Sequence, residues 1–218
     1  MTHEMGVMVL FQKLSEESQT LILETAIEAF ANHGYAGANV NKIAKEAGFS
    51  VGVLYKYYDD KEGLFLACVK HSLKLLKSVL DDAARQGTDI EDSIRKVIEA
   101  LIDNAKKHPN YNVMYNEITS GGAQKHAVML AEKIEEISAQ TYTGIIENAR
   151  KHKRVKGDMD SKVFAFFFDN LLMMLQFSYS CEYYKERMKI FCGEQIYDNN
   201  ELMVEELMKF IKGAFSMN

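Results

Sequence analysis

The side chains of this chain that could do chemistry gather in one stretch, NVNKIAKEAGFSVGVLYKYYDDKEGLF, from Asn39 to Phe65. Tyr55 and Tyr57 bring phenolic O–H groups, and Lys56 and Lys61 bring ammonium groups. Such groups donate to phosphate oxygens. Gly52 lets another backbone come close. Val51 and Val53 cannot hydrogen-bond a base and would meet thymine methyls instead. This is the chemistry of holding a polyanion, not of breaking a bond. The chain offers no nucleophile elbow, no metal-ligand spacing, no phosphate loop and no carboxylate pair with an obvious cleft, so neither an enzyme, a metal nor a cofactor is expected.

The charge balance makes placement decisive. The chain of 218 residues has a formal net charge of −5, and its first 70 residues hold six Lys, no Arg and nine acidic residues. Residues 39–57 alone carry Lys42, Lys45 and Lys56 against Glu46. A nucleic-acid reading therefore rests on local charge and not on the whole.

These groups need elements to position them, and the composition predicts helices throughout. There is a single proline, Pro109, and strand-type alternation is hard to find. A first helix is expected over 15–33, closing at Gly34. A short one runs over 40–47 with Asn39 as N-cap, and a third over 51–57 with Ser50 as cap. Two short helices joined by a three-residue turn with glycine form a helix-turn-helix. Ile43, Ala44 and Ala47 face inward, Gly48 takes the turn, and Phe49 plugs the core. The second helix would present Val51, Gly52, Val53, Tyr55, Lys56 and Tyr57 outward, its N-terminal end toward a major groove.

Further helices are expected from about 61 to 84, from 88 to 107 with Thr88 and Glu91 as a capping box, and from 124 to 153. Pro109 stops the second of these, and a short segment, 110–120, ends at Gly121-Gly122. The run 162–184 is apolar almost all round but interrupted by Asp169, Asn170 and Gln176, which predicts a buried helix and not a membrane span. A last helix covers 200–215. The N-terminal apolar run lacks a cationic flank, so no signal peptide is expected. Cys68, Cys181 and Cys192 read as reduced, core or half-buried residues. The basic run Arg150 to Gly157 reads as a solvated helix end.

The string from Ile22 to Cys68 resembles the DNA-binding domain of TetR-family transcriptional regulators. Its "F…GY", "IA…AG.S.G.LY.Y" and "KE.L" elements stand in order with the family's gaps. The resemblance implies an all-α chain: an N-terminal three-helix DNA-binding domain (1–60, core 15–60) and a C-terminal helical bundle (61–218) for ligand binding and dimerisation. It puts Asn39 where a residue caps the second helix and touches phosphate, Ser50 at the recognition-helix cap, and Lys61 at a phosphate-contacting position. The DNA-contacting set is then Asn39, Asn41, Lys42, Ser50, Val51, Gly52, Val53, Tyr55, Lys56, Tyr57 and Lys61. Val51 and Val53 depart from the family's polar residues.

The resemblance further implies a homodimeric, ligand-responsive repressor in a bacterial cytoplasm, bound to a pseudo-palindromic double-stranded operator. The surplus apolar surface of helices 162–184 and 200–215 fits a four-helix dimer interface. An apolar small-molecule pocket would draw on Tyr111, Met114, Tyr115, Asn116, Phe167, Asn170 and Met174, though each also suits core or surface. The competing reading, motivated by the acidic N-terminal region and the two valines, is a module of the same fold that binds a protein partner.

Overall fold

The computed structural model describes residues 14–119, 124–151 and 160–215. All described regular structure is helical: α1 (Glu16–Gly37), α2 (Val40–Glu46), α3 (Val51–Tyr58), α4 (Lys61–Gln86), α5 (Ile90–Lys107), α6 (Pro109–Thr119), α7 (Gln124–Lys151), α8 (Ser161–Ser180), α9 (Glu182–Cys192), a 3-10 turn (Glu194–Asp198) and α10 (Asn200–Phe215). Gly121, Gly122 and most of the basic run 150–157 lie outside the described residues.

Local chemistry sets most of these boundaries. Ser15 caps α1, accepting the Ser18 N–H. The expected stop at Gly34 is a kink instead: Gly34 takes φ 66°, a left-handed conformation that glycine tolerates, and the helix resumes to Gly37. Asp60 caps α4 by accepting the Gly63 N–H. A Cβ on Gly63 would lie 1.9 Å from the Tyr58 carbonyl oxygen, so only glycine fits this corner. The cap of α5 is Asp89, not Thr88. Its carboxylate accepts the Asp92 N–H at 2.9 Å, while Thr88 bonds the Asp92 carboxylate. Pro109 ends α5 and also opens α6 as its first residue, where a missing N–H costs nothing.

The expected single helix over 162–184 is two helices. Cys181 is extended (φ −107°, ψ 128°) and separates α8 from α9. α8 is the one helix among the described residues long and apolar enough to cross a membrane, and half of that window is buried inside the fold. Cys68 and Cys181 are buried, whereas Cys192 is exposed, against the expectation of a half-buried site. Burial pushes the Cys68 thiol well above its usual range, as for an inert core residue.

Two apolar clusters hold the chain together. The first joins Ile22, Ala26, Phe30, Ile43, Leu54, Leu64 and Phe65, and takes in Cys68 and Val69 of α4 with Tyr111, Met114 and Ile118 of α6. The second joins α5 to α7, α8 and α10 through Leu101, Ile98, Tyr142, Phe168, Leu172 and Ile211. The helix-turn-helix is thus seated on α4 and α6 rather than tethered by a linker. α4 runs through both clusters as a shared strut.

Candidate nucleic-acid interface and ligand cavity

The helix-turn-helix is built around very few atoms. Asn39 Oδ1 accepts the N–H groups of Asn41 and Lys42 at 2.9 and 3.3 Å and so fixes the start of α2. Gly48 at φ 79° turns the chain, and a Cβ there would meet nothing within 4 Å, so its requirement is conformational and not steric. Leu54 plugs α3 into the core at 1% exposure. Ser50 occupies the N-cap position of α3, but its hydroxyl makes no capping bond.

The expected contacting residues separate into two groups. Asn39, Asn41, Lys42, Ser50, Gly52, Tyr55 and Lys56 are exposed along one end of the domain, with Tyr55 45% exposed. Val51, Val53, Tyr57 and Lys61 are half-buried. Val51 packs against the N-terminal core. The Tyr57 oxygen accepts the Leu14 N–H at 2.7 Å, tying the start of the described chain to α3. The Lys61 ammonium donates to the Ala36 carbonyl at 3.0 Å and lies 5.2 Å from the Tyr35 ring centre. Partial burial holds the Lys61 pKa below its usual value. Two residues expected to face outward thus brace the segment around the Gly34 kink and the entry to α1. Valine at 51 serves the core, a role that spacing alone does not separate from groove contact.

A cavity lies between α4, α5, α6, α7 and α8. An inner chamber of about 70 Å³ is walled by Leu73, Leu76, Met114, Ile118 and Phe177. It shares Tyr115, Glu135, Ser138, Asp169 and Met173 with an outer groove of about 770 Å³. Of the expected pocket residues, Tyr111, Met114 and Tyr115 line the inner chamber and Asn170 lines the groove. Asn116, Phe167 and Met174 line neither, and Phe167 points to solvent at 55% exposure. The α8 face that meets the cavity carries Asp169, Met173, Gln176 and Phe177, one step round the helix from the face expected.

Sequence reasoning passed over the polar Glu135, Ser138 and Asp169 as well as the apolar Leu73, Leu76, Ile118, Met173 and Phe177. Tyr115 donates to Glu135 at 2.7 Å. Burial pushes Asp169 up to about 6, with the Glu135 charge adding to the rise and a Ser138 hydroxyl opposing it. Burial and the same Glu135 bond push the Tyr115 hydroxyl far above its usual value. The signal was present, since Asp169 interrupts an apolar run. At the far end of α6, Tyr111 donates to Glu24 of α1, which also meets His71 of α4 at 2.9 Å. No group of three His, Cys, Asp or Glu with metal-holding geometry occurs among the described residues.

Residues 22–68 match the family described as bacterial regulatory proteins, tetR family. An uncharacterised HTH-type transcriptional regulator of Bacillus subtilis, YuxN, is 28% identical over 133 residues, covering 61% of this chain and 46% of that protein. The HTH-type transcriptional repressor AcnR of Corynebacterium efficiens is 32% identical over 92 residues, covering 42% and 44%. The matched stretch thus spans less than half the length of these curated relatives. Over the whole fold, the fatty acid degradation regulator FadR from Bacillus halodurans superposes with a TM-score of 0.70, covering 90% of this chain and 96% of that one. At 15% identity that likeness concerns the fold alone. Residues 22–68 thus match the tetR family's model, and the helical body has the fold of a TetR-family regulator from Rhodococcus sp..

Proposed function

We propose that the protein is a DNA-binding transcriptional regulator, most simply a repressor, that acts as a homodimer in the bacterial cytoplasm and is released from its operator by a small molecule. The core at 15–60 forms its DNA-binding part, and 61–218 its ligand-binding and dimerisation part. The observation that carries the reading is α6. One face of this helix walls the cavity through Met114, Tyr115 and Ile118, and the same helix packs on α1 through the Tyr111–Glu24 bond. A ligand that moves α6 therefore moves the seat of the helix-turn-helix.

The two recognition helices of a dimer must enter successive major grooves about 34 Å apart. A ligand that prefers the conformation with another spacing shifts the population away from DNA. Exposed Val163, Phe166 and Phe167 on α8, and Leu202 and Phe210 on α10, supply apolar surface for the dimer. On DNA, Tyr55, Lys56, Lys42 and the residues around Ser50 face the duplex, while Tyr57 and Lys61 orient the domain and reach phosphate from its edge. The test is a gel shift of the full chain on its own upstream region at two salt concentrations. A specific shift that weakens with salt supports the reading. No shift on any fragment, from folded dimeric protein, refutes it in favour of a protein partner.

A further inference from the structure

We propose, building on the ligand-responsive reading, that the cavity takes a molecule with a positively charged nitrogen on an apolar body, with Asp169 and Glu135 as its counter-charges. Both carboxylates stand where the inner chamber meets the groove. Among the described residues, the inner chamber has no Lys or Arg in its wall, and Lys162 is the one such residue lining the groove. Neither carboxylate forms an ion pair with a described residue. Their partners are the Tyr115 and Ser138 hydroxyls, which stabilise a carboxylate without neutralising it.

Asp169 is half-buried and Glu135 exposed at the groove, and burial, then the Glu135 charge, add to the cost of ionising Asp169. A cation removes that penalty on entry, and an anion adds to it. The remaining wall suits the same guest. The Tyr115 and Phe177 rings lie 5.7 Å apart between centres, and Met114 and Met173 add polarizable sulfur. Aromatic faces attract a desolvated ammonium group, and methionine adapts to an apolar body.

The inner chamber also has polar groups in its wall besides the two carboxylates. Asn104 on α5 also lines the inner chamber, at 9% exposure. A polar group in the wall of the chamber can hydrogen-bond a guest. Its neighbour Asn112, equally buried, is already held by Ser180 at 2.9 Å. The chamber wall thus combines the Asn104 amide on α5 with acidic groups on α7 and α8.

The experiment compares three probes of equal chain length on the full-length protein without DNA: octyltrimethylammonium, octanoate and octanol. Calorimetric titration at pH 7.5 is expected to give the cation an affinity at least about tenfold above the other two. The Asp169→Asn and Glu135→Gln double variant should lose that preference, with octanol binding unchanged. Asp169→Asn alone keeps the shape of the side chain and removes a strained charge, so it should fold and should lower cation affinity by itself. Octanoate or octanol binding as tightly as the cation, cation binding unaltered in the double variant, or cation affinity weaker than about 1 mM, overturns the proposal. DNA binding is read separately, by the gel shift without ligand, so failure here leaves the regulator reading standing.

Discussion

Replacing Asp169 by Asn should make the protein more stable at pH 8, and the structure sets the size of the gain. In the folded chain the Asp169 carboxyl is raised from 3.8 to about 6, first by burial and then by Glu135. Tyr115 and Tyr142 also face it, and their hydroxyls are pushed up first by burial, with its charge adding to the rise. A gap of about two units corresponds to about 3 kcal/mol at most. The sign follows from proton counting. Between pH 4 and 6 the folded chain holds a proton that the unfolded chain has released, so this group stabilises the fold as pH falls. Its penalty is complete above about pH 7. Asparagine keeps the shape and escapes the charge. The variant should therefore gain about 1–3 kcal/mol at pH 8, worth a few degrees in Tm for a chain of this size. The gain should shrink toward zero near pH 4. Urea denaturation followed by circular dichroism, with both proteins at pH 8, 6 and 4.5, isolates the difference from all other titrations. A difference that does not change with pH, or a variant less stable than the parent at pH 8, would refute the account of a strained carboxylate.

Other expectations bear on separate parts of the chain. Gly63→Ala places a methyl group 1.9 Å from the Tyr58 carbonyl and should cost about 1–3 kcal/mol in thermal unfolding, with loss of DNA binding as the corner shifts. Lys56→Ala should weaken binding about equally across operator variants and flatten the salt dependence by about one unit of slope, measured by fluorescence anisotropy. Tyr111→Phe removes the bond to Glu24 and should reduce ligand-driven release from DNA in a gel shift, even at ligand concentrations that saturate the variant. Phe210→Glu charges an exposed apolar position of α10 and should shift the protein toward monomer in analytical ultracentrifugation, with circular dichroism unchanged.

Helix content and the helix-turn-helix were legible because their causes are local. Asn39 caps α2 with its own side chain, Gly48 turns because it lacks a Cβ, and Leu54 repeats the inward spacing. The misreadings have local causes too. Asp89 and Thr88 both offer a capping oxygen, and only the backbone decides which lies one step before the helix. The stop expected at Gly34 became a kink because the chain beyond it resumes the helix, its end closed by the Ala38 N–H bonding the Gly34 carbonyl. The cavity was less legible. Phe167 and Met174 suit a pocket by type, but a rotation of α8 by one residue carries Asp169 and Met173 to the cavity and Phe167 to solvent.

By itself the sequence determined an all-helical chain, a helix-turn-helix between Asn39 and Tyr58, and the exposed edge of Gly52, Tyr55 and Lys56. Those follow from periodicity, caps and turn residues, interactions spanning a few residues. Only the tertiary structure decided which groups each edge and wall commits. It joined Tyr57 to Leu14, Lys61 to Ala36 and Tyr111 to Glu24, and it set Asp169, Glu135 and Asn104 around one cavity. The reason is physical. Spacing gives the face a side chain takes on its own helix, whereas its partner, burial and pKa depend on the angle at which distant helices cross.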